Sequence, residues 1–161
     1  MTETLIGWAA ADITPQAGWP MGGYELREGV AQGTAKQLEA HLVLFGDSAG
    51  VPSGAIAVFD LERLGRRGVE AIKNALGKQG LPPEALLVLY THTHSSPRYN
   101  LEERGIGTGY EEHGELERYY LETLPRLTTE MYKAARQDMR PARARYARAK
   151  VEGVGSNRHD G

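Results

Sequence analysis

Apolar residues fall in short runs separated by segments rich in glycine and proline. Leu5-Ile6-Gly7-Trp8-Ala9-Ala10-Ala11-Asp12-Ile13 reads as a first strand, stopped by Thr14-Pro15. Ala40 to Phe45 and Gly54 to Asp60 read as two more, joined by a hairpin turn over Gly46 to Pro52. Between Glu62 and Leu76 the period changes. Leu61, Leu64, Gly68, Ile72 and Ala75 fall on one helical stripe, which Gly77, Gly80 and Pro82-Pro83 end. The run Ala85 to Tyr90 is a further strand. A helix between two strands with no hairpin predicts a βαβ unit with parallel strands. A second helix is expected over Glu115 to Met139, with Leu116, Tyr120, Leu124, Leu127, Met131 and Ala135 facing inward, and Pro125 kinks it or marks its first turn. Pro141 to Val151 reads as a last strand with a bulge near Tyr146. The fold class is therefore α/β: a mixed, mostly buried sheet flanked by helices.

Two segments resist this patterning. Residues 15–37 form a long loop that carries Trp19, Met21 and Tyr24, and residues 95–114 form another. Loops of this length inside compact domains are uncommon and often functional. With 161 residues the chain fits one domain, residues 1–161. A net charge of −2 disfavours a nucleic-acid partner held through a basic surface, and the arginines between Arg136 and Lys150 read as a solvated face. There is no cysteine, so disulfides and thiolate metal ligands are excluded. The start of the chain lacks a signal-peptide pattern, which leads to the expectation of a cytoplasmic protein. No apolar run approaches the ~20 residues of a transmembrane segment.

The candidate chemistry gathers at Thr91-His92-Thr93-His94-Ser95, directly after the apolar run. In an extended segment, side chains at i and i+2 share a face, so both imidazoles would reach one point at the carboxyl end of a strand. Two histidines fall short of the three protein ligands of a catalytic zinc. His41, His113 and His159 have no metal spacing to the pair and read as surface residues. Asp12 and Asp60, at strand ends, are loop caps or partners that orient a metal-bound imidazole. Ser95 and Ser96 lack the glycine pattern of a nucleophile elbow.

Five motifs then occur in order: Ala11-Asp12-Ile13-Thr14-Pro15, Met21-Gly22-Gly23-Tyr24, Asp60 closing a strand, Thr91 to Pro97, and Ser156-Asn157-Arg158. Together they resemble the N-terminal region of the neutral/alkaline non-lysosomal ceramidase family, whose members are zinc-dependent amidohydrolases. The resemblance implies zinc as cofactor, with His92 as a metal ligand. It implies that His94 contacts the substrate carbonyl or the activated water and that Arg158 stabilises anionic charge. Tyr24 and Asn157 would line the substrate, with Asp12 and Asp60 behind the metal site. The implied substrate is a small-molecule amide or lipid, ceramide or a related N-acyl compound. The implied partner is the remaining C-terminal part of the hydrolase, which supplies the missing ligands. Ser96-Pro97-Arg98-Tyr99 departs from the family's glycine-rich continuation. Two other readings stay open. One is a non-catalytic binding or structural module with a vestigial His-x-His pair. The other is a different metal hydrolase in which the pair meets Asp60 or Glu111.

Overall fold

The computed structural model describes residues 4–24, 26–99, 114–143 and 145–153. Its strands are β1 (Thr4–Asp12), β2 (Glu39–Gly46), β3 (Pro52–Phe59), β4 (Leu86–Tyr90) and β5 (Arg140–Ala142). They form one mixed sheet in the order β4-β3-β2-β1-β5. β1, β2 and β3 are antiparallel in succession, β5 is antiparallel to β1, and β4 is parallel to β3. The parallel pair is the expected βαβ unit, with helix α1 (Gly65–Gly77) as its crossover. The β2–β3 hairpin is closed by Asp47, whose Oδ1 accepts from the Ala49 and Val51 amides, both at 2.9 Å.

Alternation decides what each strand buries. Leu42, Leu44, Ala57 and Phe59 point to one face and are fully buried there. Over them lie Ile72 and Leu76 of α1 and Leu124, Met131 and Ala135 of α3 (Leu124–Gln137). Gly7 lets α3 come this close: a Cβ on Gly7 would fall onto the Ala135 carbonyl. Among the described residues no helix is long and apolar enough to cross a membrane.

Three expectations are corrected. Helix α1 starts at Gly65 rather than Glu62. The Glu62 amide and carbonyl are engaged by Ser96 and His92 instead of a helical ladder. The second helix is not uniform: α2 (Gly114–Arg118) passes through a π-helical turn (Tyr119–Thr123) into α3. Pro125 explains the turn, because it has no N–H for the carbonyl four residues back and its ring crowds that carbonyl. The last strand is short. Its ladder pairs Arg140, Pro141 and Ala142 with Ile6, Leu5 and Thr4, and so reaches the first residue of β1. Residues 145–153 carry no strand, and the bulge expected near Tyr146 has no ladder to sit in.

Candidate functional site

β1, β3 and β4 all point their carboxyl ends at one edge of the sheet. The segments that follow them, 13–38, 60–64 and 91–99, therefore meet there. This is where ligands gather in open α/β sheets. The ladder runs slightly past the strands, with the Thr91 amide donating to the Phe59 carbonyl at 3.0 Å and the Asp60 amide to the Glu39 carbonyl at 2.9 Å.

β4 ends at Tyr90, so the His pair lies beyond the strand rather than on it. The expectation of two imidazoles on an extended face is replaced by a turn. His92 sits at φ 58°, a left-handed conformation uncommon for a residue with a side chain. Such strain persists only where the surroundings hold it, and it clusters at functional sites. The holding contact is between His92 Nδ1 and the Glu62 carbonyl, at 2.8 Å. A carbonyl only accepts, so Nδ1 carries the proton, and in the neutral form of the ring the lone pair lies on Nε2. His92 as a residue is exposed, while its contact with Glu62 is part-buried. The His94 ring stands edge-on to His92, with centroids 5.1 Å apart. The turn thus achieves the juxtaposition that strand periodicity suggested, by another route.

The first long loop closes over the second. Met21 bridges Pro97, the Gly22 amide donates to the Ser96 carbonyl at 2.9 Å, and the Arg98 amide donates to the Pro20 carbonyl at 2.8 Å. This clasp brings the Tyr24 ring edge-on to His94 at 4.6 Å. Gly23, at φ 95°, makes the approach possible: a Cβ there would clash with Cβ, Cγ and Cδ2 of His94. Arg27 Nη1 ties the two loops again, donating to the carbonyls of Gly22 and His94 at 3.0 and 2.7 Å.

Beneath the clasp the packing is polar and satisfied. Ser96 is buried; its Oγ accepts from the Glu62 amide at 2.7 Å and donates to the Thr93 carbonyl at 3.4 Å. It is a strut of the His turn. The π-helical turn buries two consecutive tyrosines. Tyr120 donates to the Pro97 carbonyl at 3.0 Å, and Tyr119 donates to the Ile13 carbonyl at 2.6 Å. Burial pushes both phenols well above their ordinary range, so they remain donors. Tyr119 also meets Trp19 edge-on at 5.3 Å, which packs that loop aromatic inward.

Asp12 and Asp60 sit at the same sheet edge but hydrogen-bond elsewhere. Asp12 accepts from the Thr14 amide at 2.8 Å and from Gln37 at 2.7 Å. Asp60 accepts from the Glu39 amide at 3.2 Å. The partner that orients an imidazole is the Glu62 carbonyl, a backbone group with no sequence signature. Glu62, Ser96 and Arg27 are the contributors that motif reading missed; only Ser96 lay inside a quoted motif. His41 is remote in role. It stacks on Trp8 at 5.9 Å and pairs with Glu39 at 3.4 Å. Asn157, Arg158, His113, His159 and Glu111 lie outside the described residues.

Among the described residues, no three His, Asp or Glu side chains converge to hold a metal. The donor set suits one zinc position: an oriented, accessible imidazole with its distal nitrogen held by a carbonyl, as zinc-bound histidines commonly are. Behind the His turn lies a cavity of about 450 Å³, lined in part by Trp19, Met21, Lys36, Asp60, Thr93 and Ser96.

No protein-family model and no curated protein matches the sequence. Solved structures do match. Neutral ceramidase from Pseudomonas aeruginosa superposes with a TM-score of 0.69 at 20% identity over 88% of this chain. A ceramidase complexed with C2 gives 0.66 at 19% identity, again over 88%. The chain spans 22% of the length of each of those chains. It has a ceramidase-like α/β fold, with the His turn and its clasp at the carboxyl edge of the sheet.

Proposed function

We propose that this chain is the N-terminal part of a zinc-dependent amidohydrolase that cleaves the amide of ceramide or a related N-acyl compound. The observation that carries the reading is the hydrogen bond from His92 Nδ1 to the Glu62 carbonyl, which leaves Nε2 as a lone-pair donor beside His94. The ceramidase-like fold and the sheet edge support it. His92 would hold zinc, which when bound supplies Lewis acidity and a water acidic enough to ionise near neutral pH. The rest falls to the chain's own groups. His94 contacts the substrate carbonyl or the attacking water, oriented by Tyr24 against its edge. Arg158 donates fixed hydrogen bonds to the charge that develops on the carbonyl oxygen. Tyr24 and Asn157 line the substrate. The remaining ligands come from the rest of the hydrolase, because two histidines leave a catalytic zinc short of its usual three.

The test uses the full-length protein. His92→Ala is expected to abolish both zinc binding and amide hydrolysis, while Arg158→Ala lowers turnover with zinc retained. Full activity in the His92 variant overturns the reading. Metal loss in the Arg158 variant reassigns Arg158 to a structural role.

A further inference from the structure

The lip of the His turn carries a guanidinium that is only half used. Arg27 Nη1 has two hydrogens, and both are committed, one to the Gly22 carbonyl and one to the His94 carbonyl. The guanidinium carbon lies 4.7 Å from the centroid of the Tyr24 ring, and that ring touches His94. The cation is therefore fixed one side chain away from the imidazole. Its other edge, formed by Nε and Nη2, has no hydrogen-bond partner among the described residues. This edge presents parallel N–H groups at the spacing of the two oxygens of a carboxylate. Arg98 adds a second positive charge at the same place, donating from Nη2 to the Tyr24 carbonyl at 3.3 Å. Both guanidinium groups thus contact the exposed Tyr24.

We infer that the free edge of Arg27 binds a carboxylate on the substrate, so that the amide hydrolysed is an N-acyl amino acid rather than a neutral N-acyl alcohol amine. This rests on the proposed amidohydrolase activity. Water adds to the acyl carbon, the C–N bond breaks, and the nitrogen takes a proton, releasing a fatty acid and an amino acid. A tether between the carboxylate and Arg27 holds the scissile bond over the His pair during that step. A neutral sphingoid amide offers this edge only hydroxyl oxygens, which repay the water stripped from a cation less well than a paired, charge-assisted carboxylate does.

The test compares two ligands that differ only in this group, N-octanoylglycine and N-octanoylethanolamine. Both are titrated calorimetrically into the full-length protein freed of metal by chelation, so that no turnover intrudes. The carboxylate is expected to bind on the order of tenfold more tightly, as a charge-assisted paired contact at a part-exposed site gives. Arg27→Gln should bring that ratio to about one, and Arg27→Lys, which keeps the charge without the fork, should leave only part of it. The ratio is insensitive to a general loosening of the loop, which weakens both ligands alike. Equal affinity in the parent protein, or a ratio that persists in Arg27→Gln, overturns the inference. The two readings fail separately. Metal-loaded protein that hydrolyses both amides without preference keeps the amidohydrolase and loses the carboxylate site. Preferential binding without hydrolysis of either amide keeps the site and loses the amidohydrolase.

Discussion

On one face of the sheet Leu42, Leu44, Ala57 and Phe59 are fully buried beneath α1 and α3; on the other, Trp8 keeps 53% and Leu87 52% of its exposure. The strands are the same, and so is their alternation. Register lines up Trp8, Val43, Ile56 and Leu87 in one row across the open face. Ala10, His41, Val58 and Leu89 form the next row. Both faces are thus apolar in their middle strands, the pattern of a sheet meant to be covered on both sides. Among the described residues, helices cover only one. Sequence patterning specifies which residues leave a strand on which side. What lies on them is a separate, long-range matter.

The sharpest break between the faces is expected from truncating one residue on each. Phe59→Ala removes a fully buried ring packed under the helices and should cost about 3–5 kcal/mol in chemical denaturation of this chain. Leu87→Ser on the open face should stay within about 0.5 kcal/mol of the parent, as exposed substitutions do. Comparable losses from the two would show that the open face is covered in solution, and would end the comparison.

A smaller effect tests how far the covered side extends toward the His turn. Tyr120 is anchored in the helix layer, and its hydroxyl reaches the Pro97 carbonyl inside the clasp. Tyr120→Phe keeps the ring and leaves that carbonyl without its donor, at a cost of about 1–3 kcal/mol. Amide hydrogen exchange across residues 91–98 should speed up while that of β2 and β3 is preserved. Unchanged exchange in the turn would mean that the two loops hold each other without help from the helix.

Much of this was legible from local pattern. Short apolar runs marked β1 to β4, and the period-3.6 stripe at Leu64, Gly68 and Ile72 marked α1 and hence the parallel pair. The His motif was expected at the carboxyl end of a strand, and the structure places it just beyond the end of β4, at that edge of the sheet. The conformation of the site was not legible, because backbone groups distant in sequence make it. His92 turns left-handed onto the carbonyl of Glu62, thirty residues earlier. Arg27 clamps the carbonyl of His94, sixty-seven residues later. No spacing rule reports such contacts. The end of β5 was misread for a related reason: small residues alternating with arginine suit a strand, but a strand also needs a partner, and among the described residues β5 pairs with β1 over three residues. Pro125 gave warning of an irregular helix, and the irregularity takes the form of a π-helical turn in which Tyr119 and Tyr120 are both buried.

The smallest expected effect lies at the rim that the two faces share, where charge rather than burial acts. Asp12 ends β1, and hydrogen bonds from Thr14, side chain and backbone, hold its carboxyl below the ordinary value of 3.8. A group depressed on folding contributes stability above its unfolded value and loses it as pH falls through the folded one. Asp12→Asn should therefore lower the denaturation midpoint slightly at about pH 6, and the deficit should shrink at an acid pH well below 3.8, as the folded carboxyl takes up its proton. The exposure of Asp12 keeps the effect small, since water screens its partners. A deficit of the same size at both pH values would assign the cost to lost amide capping geometry rather than to ionisation. The rim would then follow the same packing logic as the covered face.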